Sequence, residues 1–331
     1  MGLRRVSVKV TRRVLGYAAL SLLILVGLGA VLYVVSWSFR TSVDALVSGS
    51  RITRLPARVD RMIISEEPLL MADFYEGSGD MPLVVLAHGS TRLGRRNPLI
   101  RFLAAQLQSK GFSVLAPDLR VLSSGRKASN DPLLRFEDSV SLTAMYALRE
   151  RLAPKGEFAY VGHSFGAGVV LRAGRSNPRP VGVVSLGAPV IVDRHRKHGE
   201  SWLRRFSEER LLDLRLPLTR ESISAMSEYL MDMDPLEQAG KTGNPPILFV
   251  NGELETSYGT SYLEQNLPDD SQDVRLIEIA RAPHAYGIVG GPWRLPLALH
   301  DPDITSQLVH SITDWIMACS EPRPSGTLDP P

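Results

Sequence analysis

Short apolar runs alternate with helix-patterned segments along most of this chain. Six runs rich in valine, isoleucine and leucine have the composition of buried strands, and they occupy residues 83–88, 112–117, 158–163, 181–186, 247–251 and 274–279. Residues 58–75 can supply a hairpin ahead of them. The alternation predicts a mostly parallel central sheet with helices on both faces, and therefore an α/β fold.

Three segments next to these strands have helical spacing. One is expected to begin near Pro98 and to end at Gly111, a residue suited to the position after a helix. A second has an apolar residue at every fourth position, namely Phe136, Val140, Ala144, Leu148 and Leu152. The last begins with Asp301, Pro302 and Asp303, which suit the N-cap, the first turn and the positive end of the helix dipole. Each helix should bury one face against the sheet.

Two segments depart from the alternation. Residues 190–245 are charged and helix-prone, and they fall between two predicted core strands. Such an insertion should cover one end of the sheet as a lid. Residues 319–331 are rich in proline and polar residues and should form a flexible tail.

The N-terminal region predicts a membrane anchor. Residues 14–39 contain no charged side chain and exceed the roughly 20 apolar residues that a bilayer core requires. The five basic residues of segment 1–13 should hold that segment in the cytoplasm. A linker at 40–57 and a domain at 58–318 would then be extracytoplasmic, in the periplasm or outside the cell if the source is a bacterium. A signal peptide, whose apolar region is shorter, and a buried core helix are the alternatives, and cleavage of the anchor stays open.

Composition excludes several classes of protein. The 331 residues are 44% hydrophobic and 22% charged, which is typical of a folded domain with a sizeable core. The net charge is +3, but the five basic residues of segment 1–13 leave the remainder at −2, so nucleic acid is not expected as a partner. The single cysteine, Cys319, excludes an internal disulfide and a cysteine-based zinc site. The sequence also contains no glycine-rich phosphate loop or zinc-ligand spacing, so no cofactor or metal is expected.

A candidate nucleophile lies in the middle of the chain. Gly162, His163, Ser164, Phe165 and Gly166 match G-x-S-x-G, directly after a predicted strand and before a helix-compatible segment. This turn exposes a serine hydroxyl above the sheet, and its glycines allow helix and strand to approach closely. An ordinary tight turn with an idle serine is the alternative.

These features make the chain resemble the α/β-hydrolase superfamily over about residues 58–318. In that family a His-Gly pair follows an earlier strand, and here His88 and Gly89 lie at the end of the run at 83–88. The resemblance implies an oxyanion hole formed by the backbone amides of Ser90 and Phe165. Asp118 and Arg120, after the next strand, are expected to be structural rather than catalytic.

The resemblance also implies a base and an acid, which follow the serine in chain order. His284, after the run at 274–279, lies where the family has its histidine, and the remaining histidines fit less well: His163, His195, His198, His300 and His310. Glu255, three residues after Gly252, takes the acid position, where aspartate is more common. Glu253 and Asp193 stay open as alternative acids.

The implied activity is hydrolysis of a carboxylic ester, thioester or amide through an acyl-enzyme on Ser164. An acyltransferase with the same triad and a non-catalytic, membrane-tethered binding module are the alternatives. The substrate would be a small-molecule or lipid-like acyl compound, with chain length and oligomeric state left open. Basic residues near the site could bind an anionic substrate or lipid headgroups, although solvated surface charge is the default: Arg92, Arg95, Arg96, Arg194, Arg196 and Lys197.

Overall fold

An eight-stranded sheet forms the centre of the fold. The computed structural model describes residues 21–28, 51–56, 59–67, 69–78, 80–119, 135–241, 243–255, 260–267, 273–290 and 297–321. The strands are β1 (Arg51–Arg54), β2 (Asp60–Glu66), β3 (Leu69–Tyr75), β4 (Leu83–Ala87), β5 (Val114–Pro117), β6 (Phe158–His163), β7 (Val183–Leu186), β8 (Ile247–Gly252), β9 (Val274–Ile279), β10 (Ile288–Gly290) and β11 (Leu297–His300). In the large sheet the strands are ordered β2-β3-β5-β4-β6-β7-β8-β9, and β3 is antiparallel to both of its neighbours. The pairs from β5 to β9 are parallel, which confirms the mostly parallel sheet.

Helices lie between and after these strands. Their bounds are α1 (Pro98–Ser109), α2 (Glu137–Arg149), α3 (Phe165–Ala173), α4 (Ile191–His198), α5 (Glu200–Asp213), α6 (Arg220–Asp232), α7 (Pro235–Ala239), α8 (Thr260–Asn266) and α9 (Pro302–Ser320). The three helices expected from spacing are present as α1, α2 and α9. The Asp301 side chain accepts hydrogen bonds from the amides of Asp303 and Ile304, as expected of an N-cap. Gly111, after α1, has a φ of +94°, a conformation that favours glycine.

Two apolar clusters cover the two faces of the sheet. Alternate residues of each central strand point to opposite faces, so Val84 and Leu86 join one cluster while Leu83 and Val85 join the other. Helices α1 and α9 contribute to the first cluster, and α2, α3 and the 191–239 helices contribute to the second. Because both faces are covered, β4 and β8 are buried along their whole length.

The segment predicted as an insertion, residues 190–245, contains α4, α5, α6 and α7 and lies between β7 and β8. Aromatic and charged side chains connect it to the sheet-covering helices. The Tyr229 hydroxyl of α6 donates to Glu137 of α2 at 2.9 Å, and Arg172 of α3 forms ion pairs with Glu137 and with Asp232 of α6. Burial and the Glu137 carboxylate raise the pKa of Tyr229, which keeps its proton on the hydroxyl. These contacts fix the insertion to the body of the domain.

A second, three-stranded sheet was not expected. It has the order β1-β11-β10, and β1 falls inside the predicted linker at 40–57. The Thr53 hydroxyl hydrogen-bonds His300 Nε2 at 2.9 Å, which ties β1 to β11. At the other end, α9 continues to Ser320, so Cys319 and Ser320 are helical rather than part of the tail, and residues 322–331 lie outside the described residues.

The N-terminal unit, Met1–Arg51, is described only in part. Residues 21–28 are helical, and their side chains are exposed. Among the described residues, no helix combines the length and the apolarity needed to cross a bilayer. Most of the predicted anchor at 14–39, and the basic segment at 1–13, lie outside the described residues, so the anchor stays a prediction.

Candidate active site

The sharp turn between β6 and α3 holds Ser164. Its φ of +54° and ψ of −120° lie outside the usual regions for a residue with a side chain. The amide of Ser164 donates to the carbonyl of Leu186, at the end of β7, at 2.8 Å. A Cβ on Gly162 would lie 2.2 Å from the carbonyl oxygen of Gly166, and one on Gly166 would lie 2.4 Å from that of His88. Glycine is therefore required at both positions for this turn to form.

Glu255 and His284 form an acid–base pair after β8 and β9. A carboxylate oxygen of Glu255 contacts Nδ1 of His284, and the second oxygen accepts the amide of Gly252 at 3.2 Å. The Glu255 side chain is 1% exposed and the His284 side chain 32% exposed. With Nδ1–H donating to the carboxylate, Nε2 is the basic nitrogen of the ring. The pair can therefore orient an imidazole that accepts a proton.

His163 connects this pair to the turn that holds Ser164. Its Nε2–H donates to the carbonyl oxygen of His284 at 2.9 Å, and the two ring centroids are 4.8 Å apart. Burial and the neighbouring His284 lower the pKa of His163 to about 3, so the ring stays neutral. His284 is thus held against the residue that precedes Ser164.

Gly187 lies against both Glu255 and His284. The sequence did not indicate a role for this residue. It follows β7 with a φ of +57°. A Cβ at this position would lie 2.9 Å from a Glu255 carboxylate oxygen and 3.1 Å from His284 Nδ1. The absence of a side chain at Gly187 leaves the space that the acid–base pair occupies.

The loop after β4 passes beside Ser164 on the other side. A Cβ on Gly89 would be 3.1 Å from the Cβ of Ser164. His88 is buried, its Nδ1–H donates to the carbonyl of Gly89 at 2.7 Å, and its Nε2 accepts the amide of Leu119 at 3.1 Å. Burial lowers the pKa of His88, in keeping with this neutral ring. Its bonds fix the course of the loop that leads to Ser90.

The two predicted oxyanion-hole residues lie on the two elements that meet here. Phe165 is the first residue of α3, where amides have no partner within the helix. The hydroxyl of Ser90 accepts a hydrogen bond from Arg210 Nη1 of α5 at 2.6 Å. The 190–245 insertion thus reaches the loop that carries Ser90, a contact that the sequence did not reveal.

A buried cation supports the same loop. Arg95 is 5% exposed and forms ion pairs with Asp73 of β3, at 2.8 Å, and with Asp118 after β5. Asp118 therefore has the structural role expected from the sequence. Arg120 lies outside the described residues.

The alternative acids and histidines have other partners. Glu253 accepts the amide of Arg281 at 2.6 Å, and Asp193 pairs with Lys197 at 2.7 Å within α4. His300 hydrogen-bonds Thr53 and Thr305. The rest lie on helices: His195 and His198 on α4, and His310 on α9. Within the part of the chain that the structure describes, no group of three or more His, Cys, Asp or Glu side chains could hold a metal ion.

Comparison with solved structures shows the same architecture in distant proteins. A soluble variant of monoglyceride lipase from Saccharomyces cerevisiae is 15% identical to this chain. The match covers 82% of this chain and 97% of the lipase, with a TM-score of 0.54. An esterase from Pyrococcus furiosus is 14% identical, and the match covers 79% of this chain and 91% of the esterase, with a TM-score of 0.50. Mouse alpha/beta hydrolase domain-containing protein 10 is also 14% identical, and the match covers 80% of this chain and 100% of the mouse chain, with a TM-score of 0.51. At these identities the likeness establishes the fold alone.

Comparison with known sequences is decisive for the family. No curated protein matches the sequence. The family model described as "Alpha/beta hydrolase family" matches residues 84–316, which runs from β4 into α9 and includes Ser164, Glu255 and His284. The chain belongs to the alpha/beta hydrolase family.

Proposed function

We propose that this protein is a serine hydrolase that cleaves carboxylic esters through an acyl-enzyme on Ser164. His284 takes the proton of the hydroxyl and donates it to the departing alcohol. In the second half of the reaction it takes a proton from the attacking water and returns it to the Ser164 oxygen as the acyl group leaves. Glu255 orients the ring and stabilises its protonated form. The backbone amides of Ser90 and Phe165 stabilise the negative charge that develops on the carbonyl oxygen.

The observation that carries this proposal is the contact between Glu255 and His284 Nδ1, beside a strained serine turn. A buried carboxylate on one imidazole nitrogen has the arrangement that serine enzymes use to activate a hydroxyl. Family membership supports a hydrolase in general. The yeast lipase and the archaeal esterase with the same fold make an ester the first substrate class to test.

Labelling with a fluorophosphonate probe tests the nucleophile. We expect the wild type to label and to cleave p-nitrophenyl esters, and Ser164→Ala to lose both. Ser185→Ala is a matched control, because Ser185 is also buried and its hydroxyl has no hydrogen-bond partner in the described structure. Labelling that persists in Ser164→Ala, or a folded wild type that never labels, would contradict the proposal. Product analysis with an added acceptor alcohol distinguishes hydrolysis from acyl transfer.

We further propose that residues 14–39 anchor this hydrolase in a membrane. The support is the uncharged sequence of the segment and the exposed apolar side chains of helical residues 21–28. In cell fractionation the full chain should sediment with membranes and be released by detergent but not by high salt. A chain lacking residues 1–40 should remain in the supernatant. Release of the full chain by salt alone would refute the anchor.

A further inference from the structure

A cavity of about 630 Å³ lies beside the candidate active site, between the loop after β4 and the turn after α5. His88 and Thr91 form part of its wall. Phe136 forms another part, and its ring meets that of Phe165 edge to face with centroids 5.0 Å apart. The cavity therefore borders the loop after β4 directly, and α3 indirectly through the contact of Phe136 with Phe165. Its volume is within the range of small-molecule sites.

Cations converge on this cavity from two separate segments. Arg92, Arg95 and Arg96 come from the loop after β4, and Arg215 comes from the turn after α5. Arg95 is neutralised by its buried ion pairs with Asp73 and Asp118. The other three are exposed, and among the described residues none of them forms an ion pair with a carboxylate.

The arrangement of these cations is partly fixed. Arg215 has a φ of +59°, and its guanidinium donates to the carbonyl oxygen of Arg92 at 3.3 Å. This bond brings the turn after α5 onto the β4 loop, so that Arg92 and Arg215 line the same cavity. Among the described lining residues the carboxylates are Asp118, which pairs with Arg95, and Asp213. The three remaining arginines therefore outnumber the one remaining carboxylate, and the net charge of the lining is positive.

Apolar side chains form part of the remaining wall. They belong to Met71, Leu93, Leu119, Phe136, Leu214 and Leu216. A cavity lined by both apolar side chains and cations suits a ligand that has a hydrocarbon part and an anionic group. The concave shape favours a bound molecule over a flat membrane surface as the partner of the arginines.

We propose that this cavity binds the anionic group of an amphiphilic ester, a carboxylate or a phosphate, through Arg92, Arg96 and Arg215. The proposal rests on the proposed function, because it names the class of substrate that the site receives. It predicts that the enzyme prefers acidic esters to neutral esters of the same length.

Matched ester pairs test this preference. In the first pair, mono-p-nitrophenyl adipate and p-nitrophenyl hexanoate share a six-carbon acyl chain and differ in the terminal carboxylate. In the second, butyryloxybenzoate and its methyl ester place the charge on the leaving group. We expect a kcat/KM ratio of acidic to neutral ester of about tenfold or more in at least one pair.

Removal of the cations should abolish the preference. Replacing Arg92, Arg96 and Arg215 together with glutamine should lower the ratio about tenfold, and raised salt should lower it in the wild type. Arg149→Gln is the control, since this exposed arginine lies at the end of α2 and pairs with Glu150. A ratio near one in both pairs, or a ratio that the triple substitution leaves unchanged, would overturn the proposal.

A binding assay keeps this test separate from that of the proposed function. Anilinonaphthalene sulfonate and its uncharged analogue phenylnaphthylamine are titrated against the folded wild type and the triple variant. Loss of sulfonate binding relative to the neutral dye supports the cavity even if no ester is cleaved and Ser164 does not label. Equal weakening of both dyes contradicts it, as does a triple variant that loses only binding to phosphatidylglycerol vesicles.

Discussion

The substitution Gly187→Ala tests whether the space beside the acid–base pair controls catalysis. The new methyl group would lie 2.9 Å from a Glu255 carboxylate oxygen and 3.1 Å from His284 Nδ1. Both distances are shorter than ordinary van der Waals contacts. The Glu255 and His284 side chains must therefore retreat, because the β7 backbone is fixed by the bond from the Gly187 amide to the Val250 carbonyl at 2.9 Å.

The size of the effect follows from the displacement. Relief of the contact requires a shift of roughly 0.5 Å, and a misplacement of about 1 Å can cost on the order of 100-fold in rate. We therefore expect kcat to fall about tenfold to 100-fold, with a much smaller change in KM. Separately, the φ of +57° at Gly187 should destabilise the alanine variant by about 1–2 kcal/mol.

Gly156→Ala separates these two effects. Gly156 has a φ of +73°, but a Cβ there would meet nothing within 4 Å. Ester hydrolysis and urea unfolding are measured on both variants. Both should lose about 1–2 kcal/mol of unfolding free energy from the positive φ, with a further loss in Gly187→Ala from its close contacts, and only Gly187→Ala should lose kcat. If the two variants keep the same kcat, the space beside Glu255 does not control the geometry of the base.

Three further results are expected. Glu255→Gln should lower kcat by about 10³- to 10⁴-fold in ester hydrolysis, because the ring loses its orienting anion, whereas Glu253→Gln should retain activity; the reverse pattern would reassign the acid. The pKa of His163 is about 3 when folded and near 6.5 when unfolded, so protonation favours unfolding. The stability that the neutral His163 ring contributes is complete above pH 6.5 and is lost as pH falls toward 3, by up to about 1.4 kcal/mol per pH unit. Urea unfolding measured from pH 7 to 4 should therefore depend less on pH in His163→Gln than in the wild type. An unchanged pH dependence in the variant would refute this assignment to His163. Arg210→Met should lower kcat about tenfold by freeing the loop of the predicted oxyanion hole, while Arg204→Met on the same helix should not; equal rates would show that the loop keeps its position without the insertion.

The main sheet could be predicted because its signals are local. Each central strand is an apolar run that is buried on both faces, and each has its own boundary residues. The small sheet could not be predicted in this way. β1 has only four residues, two of them arginines, and its partner β11 begins at Leu297, far along the chain. Such a pairing depends on long-range contacts that no local pattern specifies.

In the candidate site, too, some features have a local sequence signal and others depend on long-range contacts. Five consecutive residues are enough to predict the turn that holds Ser164. The family resemblance indicated His284 as the base and Glu255 as the acid. The groups that fix their geometry are separate in sequence: Gly187 gives the pair its space, and Arg210 reaches Ser90 from the insertion. Neither residue belongs to a sequence motif. Their roles depend on contacts with residues that are distant in the sequence, and no local pattern predicts such contacts.

The glutamate at position 255 explains why the space beside the pair is so restricted. Its amide donates to the carbonyl of Gly252 at 2.9 Å, and its carboxylate accepts the Gly252 amide, so the loop folds back on itself around the acid. A Cβ on Gly252 would lie 2.2 Å from the carbonyl of Ala282, which brings the loop before His284 against the end of β8. The longer side chain thus reaches His284 across the space that Gly187 leaves free. An aspartate in the same backbone would end about one carbon–carbon bond short of the ring, roughly 1.5 Å. From this backbone position glutamate reaches His284, so the departure from the commoner aspartate agrees with the position of the loop.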